Sequence, residues 1–255
     1  MKSFNIIISL FIVALLGFSA CDKPEEPDEQ TAKDMAKGAY IVSDAFAVSN
    51  DYSNSKKGIS EYPDCITTGV IEGGISLTFD NCTFNGITRN GVLEITYNGP
   101  WSETGSTLTI GFVDYTVDGH TMSGSITSEH KSEDASGIRS FTITASDMEL
   151  TFSDGNTTTW DSERNYRMIA GLLTFLDPTD NVFEISGSST GVNRKGESYT
   201  TSSTQLRKDF SCKFPVSGTT TITKGEDSPI EIDFDTDNCL SAKVTQNGIT
   251  IEIDL

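Results

Sequence analysis

The sequence predicts an all-β protein: an antiparallel meander forming a sandwich or partly closed barrel, with one short N-terminal helix over an edge or end. Three observations carry this. Runs of alternating apolar and polar residues recur from Ile75 onward, Asn-Gly and Asp-Gly pairs stand between them, and Thr fills many polar positions. Alternation with period two gives a strand one buried and one solvated face. Asn-Gly and Asp-Gly supply the positive φ angles of tight hairpins, and Thr suits the solvated face. An extended, curled single sheet is the alternative, because so many Thr-bearing strands would leave a thin core.

The first twenty-one residues follow the pattern expected of an export leader. Lys2 supplies a positive start, Ile6 to Phe18 an apolar stretch, and the small Ser19 and Ala20 lead into Cys21. That stretch, about 13 residues, is short of the roughly 20 that span a bilayer as a helix. Residues 1–20 are therefore expected to be removed and lipid attached to the Cys21 thiol. Phe18 stands three places before the cysteine, where Leu is commonest, and keeps the bulky apolar character of that place. Two or more acyl chains, at about 0.8 kcal/mol per buried methylene, make a firm anchor. Residues 21–30 form an acidic, Pro-bearing tether with too little apolar surface to order itself. Within the helical and linker segment 31–60, Thr31 to Asn50 is the expected helix. Met35, Ile41, Val42, Ala45 and Phe46 share one side of it, and Gly38 weakens it.

Residues 61–255 read as the β domain. Alternation is clearest in Ile75–Phe79, Val92–Tyr97, Leu108–Phe112, Phe141–Ala145, Val182–Ile185, Ile230–Phe234 and Ile249–Ile253. Turns are expected at Asn85-Gly86, Asn90-Gly91, Asn98-Gly99, Asp118-Gly119, Asp154-Gly155 and Asn247-Gly248. Roughly ten to twelve short strands joined in this way make a meander. The two ends of the domain, near 65–97 and 212–255, resemble each other. Phe79-Asp-Asn-Cys82 and Phe234-Asp-Thr-Asp-Asn-Cys239 are each followed, after the same interval, by Asn-Gly and an alternating run. With Cys21 taken by lipid, Cys65, Cys82, Cys212 and Cys239 remain, an even number in an exported chain, and three pairings are open. The matched units favour Cys65 with Cys82 and Cys212 with Cys239. Zinc is the weaker reading, since no close Cys-x-x-Cys occurs and only two histidines are present.

Charge narrows the partners. Lys and Arg number 18 against 37 Asp and Glu, a net −19, and the leader takes away only Lys2. Nucleic acid and anionic headgroups need clustered Lys or Arg, so nucleic-acid binding is disfavoured. The position of the acidic tether resembles the export tag of Bacteroidota surface lipoproteins. Through Arg89-Asn-Gly-Val-Leu-Glu-Ile-Thr-Tyr97, Val117-Asp-Gly119 with Ser123-Gly124, Trp160-Asp-Ser-Glu-Arg164, Gly191-Val-Asn-Arg-Lys-Gly196, Cys212 to Gly218 and Asp237-Asn-Cys239, the β domain resembles a set of uncharacterised Bacteroidota lipoproteins with an all-β body. The likeness implies a shared fold and a cell-envelope location; with the tag-like tether, the expected address is the outer membrane, facing the cell surface, with the periplasmic face as alternative. It transfers no catalytic residue.

No catalytic set emerges. Gly187-Ser-Ser-Thr-Gly191 matches G-x-S-x-G around Ser189, but a nucleophile elbow needs a following helix, and Val192 to Ser198 is turn-like. His120 and His130 lie upstream of it and read as surface histidines. Asp233, Asp235 and Asp237 lack the Gly and Glu of a calcium loop and fit strand alternation instead. Carboxylates are too many for any pair to be chosen as a hydrolase dyad. No metal and no cofactor is expected. Trp101, after Gly99-Pro100, and Trp160, beside Arg164 and with Arg194 downstream, are the candidate ligand residues, since exposed Trp with Arg at the rim is how a protein face holds a sugar. The expected function is a non-enzymatic binding or structural module. Its partners are the membrane, through the lipid on Cys21, and a glycan or another envelope protein. A glycan-binding accessory lipoprotein is the first alternative and a carboxylate hydrolase the second.

Overall fold

Each strand pairs with its neighbours in sequence, so the β region is one continuous antiparallel meander. The computed structural model describes residues 26–54, 64–84, 86–101, 103–135, 137–171, 180–235 and 239–255. Helix α1 spans Glu29–Asn54; the strands are β1 Ile66–Ile71, β2 Gly74–Phe84, β3 Ile87–Asn98, β4 Thr107–Val117, β5 His120–Glu133, β6 Arg139–Thr151, β7 Thr157–Ala170, β8 Val182–Val192, β9 Ser198–Asp209, β10 Ser217–Thr223, β11 Ile230–Asp233, β12 Ser241–Gln246 and β13 Ile249–Asp254. They form one sheet in the order β1 to β13, not closed into a barrel. The expected all-β meander with one N-terminal helix is therefore present, in its single-sheet, curled form.

The helix departs from expectation in length and place. It has 26 residues, about 39 Å at 1.5 Å per residue. It lies against the concave face of the sheet, not over an edge. Asp44 meets Arg89 of β3, and Phe46, two residues on, meets Phe183 of β8. In a flat sheet those strands stand about 24 Å apart, at about 4.8 Å per strand. A helix is only 10–12 Å across. The sheet must therefore curl around it. Residues 40–50 are buried on every side, and the helix core merges with the sheet core in one apolar cluster.

A transverse line of bulges accounts for the curl. Register shifts recur at Phe79/Cys82, Asn90/Val92, Gly111/Thr116, Ser123/Ser125, Ala145/Met148, Ile185/Gly187 and Ser217/Thr219. Bulges add twist and bend a sheet. Two glycines show why the residue type matters. Gly91 has φ 89°, and a Cβ there would stand 2.2 Å from the Asp114 carbonyl oxygen; Gly124 has φ 108°, and its Cβ would stand 2.7 Å from that of Asp147. Asn90-Gly91 is thus a mid-strand bulge in β3, where the sequence suggested a hairpin turn. Asp118-Gly119, Asp154-Gly155 and Asn247-Gly248 do turn the chain.

The disulfides join Cys65 to Cys82 and Cys212 to Cys239, closing 17 and 27 residues. Loops of that length contribute about 3 to 4 kcal/mol each in the chain-entropy model. The favoured pairing holds, but the reason for it does not. Cys82 lies inside β2 and Asn90-Gly91 inside β3, whereas Cys239 precedes β12 and Asn247-Gly248 is a true hairpin, so the two ends are not one unit used twice.

The N-terminus of α1 is clamped, and the clamp begins within the segment expected to be tether. Asp28 is the N-cap, accepting hydrogen bonds from the Thr31 backbone N–H and hydroxyl. The same carboxylate pairs with Lys195 at 2.9 Å and Lys224 at 2.8 Å, and the Asp28 N–H donates to Gln246. Burial opposes its ionisation, but the two ammonium groups and Thr31 outweigh burial and hold the carboxyl well below the usual aspartate range. A depressed carboxylate stabilises the fold above its unfolded pKa and loses that contribution as pH falls through the folded value. Asp28→Asn is expected to cost about 1–2 kcal/mol at pH 7. In urea titrations the gap to wild type should shrink below about pH 4; a gap independent of pH would count against the clamp.

Candidate functional site: a buried arginine among hydroxyls

The inward face of most strands is apolar, but β7 to β10 carry a polar patch. Two cross-strand rows build it. One runs Ser162, Ser189, Thr201; the other runs Arg164, Gly187, Ser203, Thr220. All but Gly187 point inward and are buried. Gly187 makes the second row possible: a Cβ there would come within 3.0 Å of Arg164 Cγ. With that space open, the Arg164 side chain reaches Ser203, whose Oγ accepts from Nη1 at 3.1 Å. Ser203 is bonded to Thr220 at 2.9 Å and Ser189 to Thr201 at 2.6 Å.

Facing the patch, α1 presents Ala36, Gly38 and Ala39, and between them lies a cavity of about 50 Å3. Trp160, Tyr199, Leu206 and Phe234 form apolar walls. Gly38, which weakens the helix in isolation, is what lets α1 approach Trp160; a Cβ there would stand 3.1 Å from the indole. Arg164 is 8% exposed, and among the described residues no carboxylate lies within ion-pair distance of it. Burial pulls its pKa down, opposed by the Tyr166 and Tyr199 phenols. Guanidinium nevertheless stays charged in proteins.

The four sequence candidates land as follows. Trp160 and Arg164 line this cavity together, and Arg194 adjoins it through Asp34. Arg194 does not present a free guanidinium: it grips Asp34 through Nε and Nη2 at 2.6 and 2.5 Å, reaches Asp154 at 3.1 Å and stacks on Phe152. Trp101 lies elsewhere, its Nε1 donating to Asn50 and its ring stacked on Phe141 at 5.7 Å. Trp101 and Trp160 are 8% and 7% exposed. Neither ring can stack on an external sugar, because each is a wall between sheet and helix. That corrects the expected Trp-based glycan face. Cys21 lies outside the described residues.

The histidines also differ from expectation. His130 is buried, stacked on Phe141 at 5.3 Å and near Trp101, and His120 is half-buried with Nε2 3.1 Å from Lys37 Nζ. His130 sits in the interior, and His120 is partly covered where Lys37 of the helix reaches it. Ser189 is a mid-strand residue of β8, which leaves no strand-to-helix elbow. Among the described residues no group of His, Cys, Asp or Glu is placed to hold a metal; Asp237 lies outside them.

Sequence reasoning missed two features. Lys208 is 4% exposed, donates to the Asp209 and Cys212 carbonyls, and sits over the Phe210 ring. Burial pushes its ammonium down to about 8. The second is a groove of about 690 Å3 on the outer face of β6 to β9, where Asn165, Arg167, Glu184, Gln205 and Arg207 converge, with Lys131 of β5 beside them. Arg167 pairs with Glu184 at 2.9 Å, and Arg207 stands opposite Glu184 on the other side. The signal for this groove is the outward register of Arg167 and Arg207, which needs the strand pairing to be seen.

No protein-family model matches this chain, and no curated protein or solved structure shows significant similarity to it. No helix among the described residues is long and apolar enough to cross a membrane.

Proposed function

We propose that the protein is an outer-membrane lipoprotein, held by lipid on Cys21 and facing out of the cell, that works as a non-enzymatic binding or structural module. The observation that supports this best is the placement of α1. The element that directly follows the tether is the central pillar of the fold, and its N-cap, Asp28, is locked to three separate loops and strands. Force on an anchor at Cys21 would pass into the core and not into a dangling arm. Asp28 lies seven positions after Cys21, so the body stays within about 25 Å of the lipid. That geometry suits a membrane-proximal module.

Because α1 occupies the concave face, a macromolecular partner has only outer surfaces to meet. The groove across β6 to β9 supports a second reading, a glycan-binding accessory role. Its Arg, Asn and Gln side chains are planar hydrogen-bonding groups of the kind that hold a polar or acidic sugar, and its size falls within the usual range for ligand pockets. Fractionation of cells producing wild type and Cys21→Ser tests the anchor. Wild type is expected in the outer membrane, cleavable by protease added to intact cells, and the variant in the soluble fraction. Membrane retention of the variant would remove the anchor from the reading, and protection from protease would turn the body to the periplasm. An Arg167→Ala/Arg207→Ala chain that binds an array of acidic glycans as wild type does would set the groove aside.

A further inference from the structure

We infer that the cavity between α1 and strands β7 to β11 is a binding site for a small monovalent anion, held by Arg164. Charge balance argues for it first. Arg164 is an enclosed cation, and among the described residues the titratable groups that act on it are the Tyr166 and Tyr199 phenols, which burial keeps neutral. A buried charge without a counter-charge is among the costliest features a fold can hold. Asp34 lines the same cavity but is committed to Arg194 and to Gln30.

The donor set argues next. Of the five guanidinium N–H groups of Arg164, one is bonded to Ser203. The Ser189–Thr201 and Ser203–Thr220 pairs each use one hydroxyl hydrogen and leave the second to be donated, and Ser162 adds another hydroxyl. A cation would be repelled here, and an anion would find donors of both kinds, ionic and hydroxyl. The opposite wall is kept back by Ala36, Gly38 and Ala39, so the space is built into both the helix and the sheet.

Size sets the class. About 50 Å3 is a third of the roughly 150 Å3 cavity that accepts benzene. It suits a halide, or a carboxylate the size of formate or acetate, and excludes sugars, nucleotides and acyl chains. One guanidinium balances one negative charge, which selects a monovalent ion. The site is independent of the membrane anchor and of the outer groove.

The test uses the full chain purified in detergent, with sodium chloride, bromide or formate compared with sodium gluconate, whose anion is too large to enter, at equal ionic strength. Exchanging gluconate for chloride or bromide is expected to raise the melting temperature of wild type by about 3 °C or more. Arg164→Met should remove that rise. Crystals grown in bromide should show an anomalous peak against the Arg164 guanidinium. An equal rise in wild type and Arg164→Met, or none in wild type, would overturn the inference. Should Arg164→Met fail to fold, the bromide crystals decide alone: a peak at Arg164 upholds the site, and water density there without a peak rejects it.

Discussion

Phe46→Ala is expected to lower the unfolding free energy by about 3–5 kcal/mol, the cost of removing a fully enclosed Phe ring and leaving its cavity. Phe46 has no exposed surface. Its ring stands edge-on to Phe141 and Tyr166 at 5.6 Å and to Phe183 at 6.1 Å, one aromatic from each of three adjacent strands, β6, β7 and β8. The strands cannot close over the gap, because their spacing is set by backbone hydrogen bonds on both sides. Urea denaturation followed by tryptophan fluorescence gives the number, and both indoles lie against the helix. A loss below about 1 kcal/mol, the size expected of a surface position, would mean that α1 does not occupy the concave face in solution.

Asp44→Asn is expected to cost a similar amount, about 3–5 kcal/mol, for a different reason. Arg89 is 1% exposed and Asp44 7%. The pair is a two-pronged fork, Nε to Oδ2 at 2.9 Å and Nη2 to Oδ1 at 2.5 Å. Burial alone would pull the Arg89 guanidinium down, and the Asp44 carboxylate outweighs burial and raises it. Guanidinium is charged across the accessible pH range, so the variant leaves a buried cation with its counter-charge removed. The double replacement Asp44→Leu/Arg89→Met removes both charges, and it should recover most of the loss. A double variant no more stable than Asp44→Asn would show that the pair fixes the helix in a way that apolar packing cannot replace.

These two positions also show why the helix was only partly legible. Met35, Ile41, Val42, Ala45 and Phe46 mark one apolar side, which reads as an amphipathic helix with a solvated back. The helix also carries Asp34, Ser43, Asp44 and Asn50, residues that rarely lie inside a protein without a partner. Each finds one far along the chain: Arg194, Tyr166, Arg89 and Trp101. No local pattern announces a partner that lies from 45 to 160 residues away, so the polar side looked like a surface and was core. Asp28 was misplaced for the same reason. Beside Pro27 and Glu29 it reads as tether, and only Lys195, Lys224 and Gln246 make it a cap and a clamp.

The surroundings of the ligand candidates turn on one principle. Trp and Arg mark recognition faces when exposed and structural walls when covered, and covering is a property of the third dimension. Trp101 and Trp160 were singled out for their chemistry and proved to be contact points between helix and sheet. Arg164, chosen as the rim of a sugar site, sits instead inside the molecule among hydroxyls. Gly187, half of a motif that suggested a serine nucleophile, matters because its missing side chain gives that arginine room.

The sequence by itself determined the class of structure and its punctuation: strands from period-two alternation, hairpins at Asp118-Gly119, Asp154-Gly155 and Asn247-Gly248, and one helix before them. These are local properties, written in the spacing of neighbouring residues. Only the tertiary structure decided that the sheet stays single and curls around the helix. It also decided that Asn90-Gly91 bends a strand where a turn was expected, and that a polar patch holding Arg164 faces the helix within the fold. Those features arise from pairing between distant strands, where a side chain's surroundings are set by register and curvature and not by its neighbours in the chain.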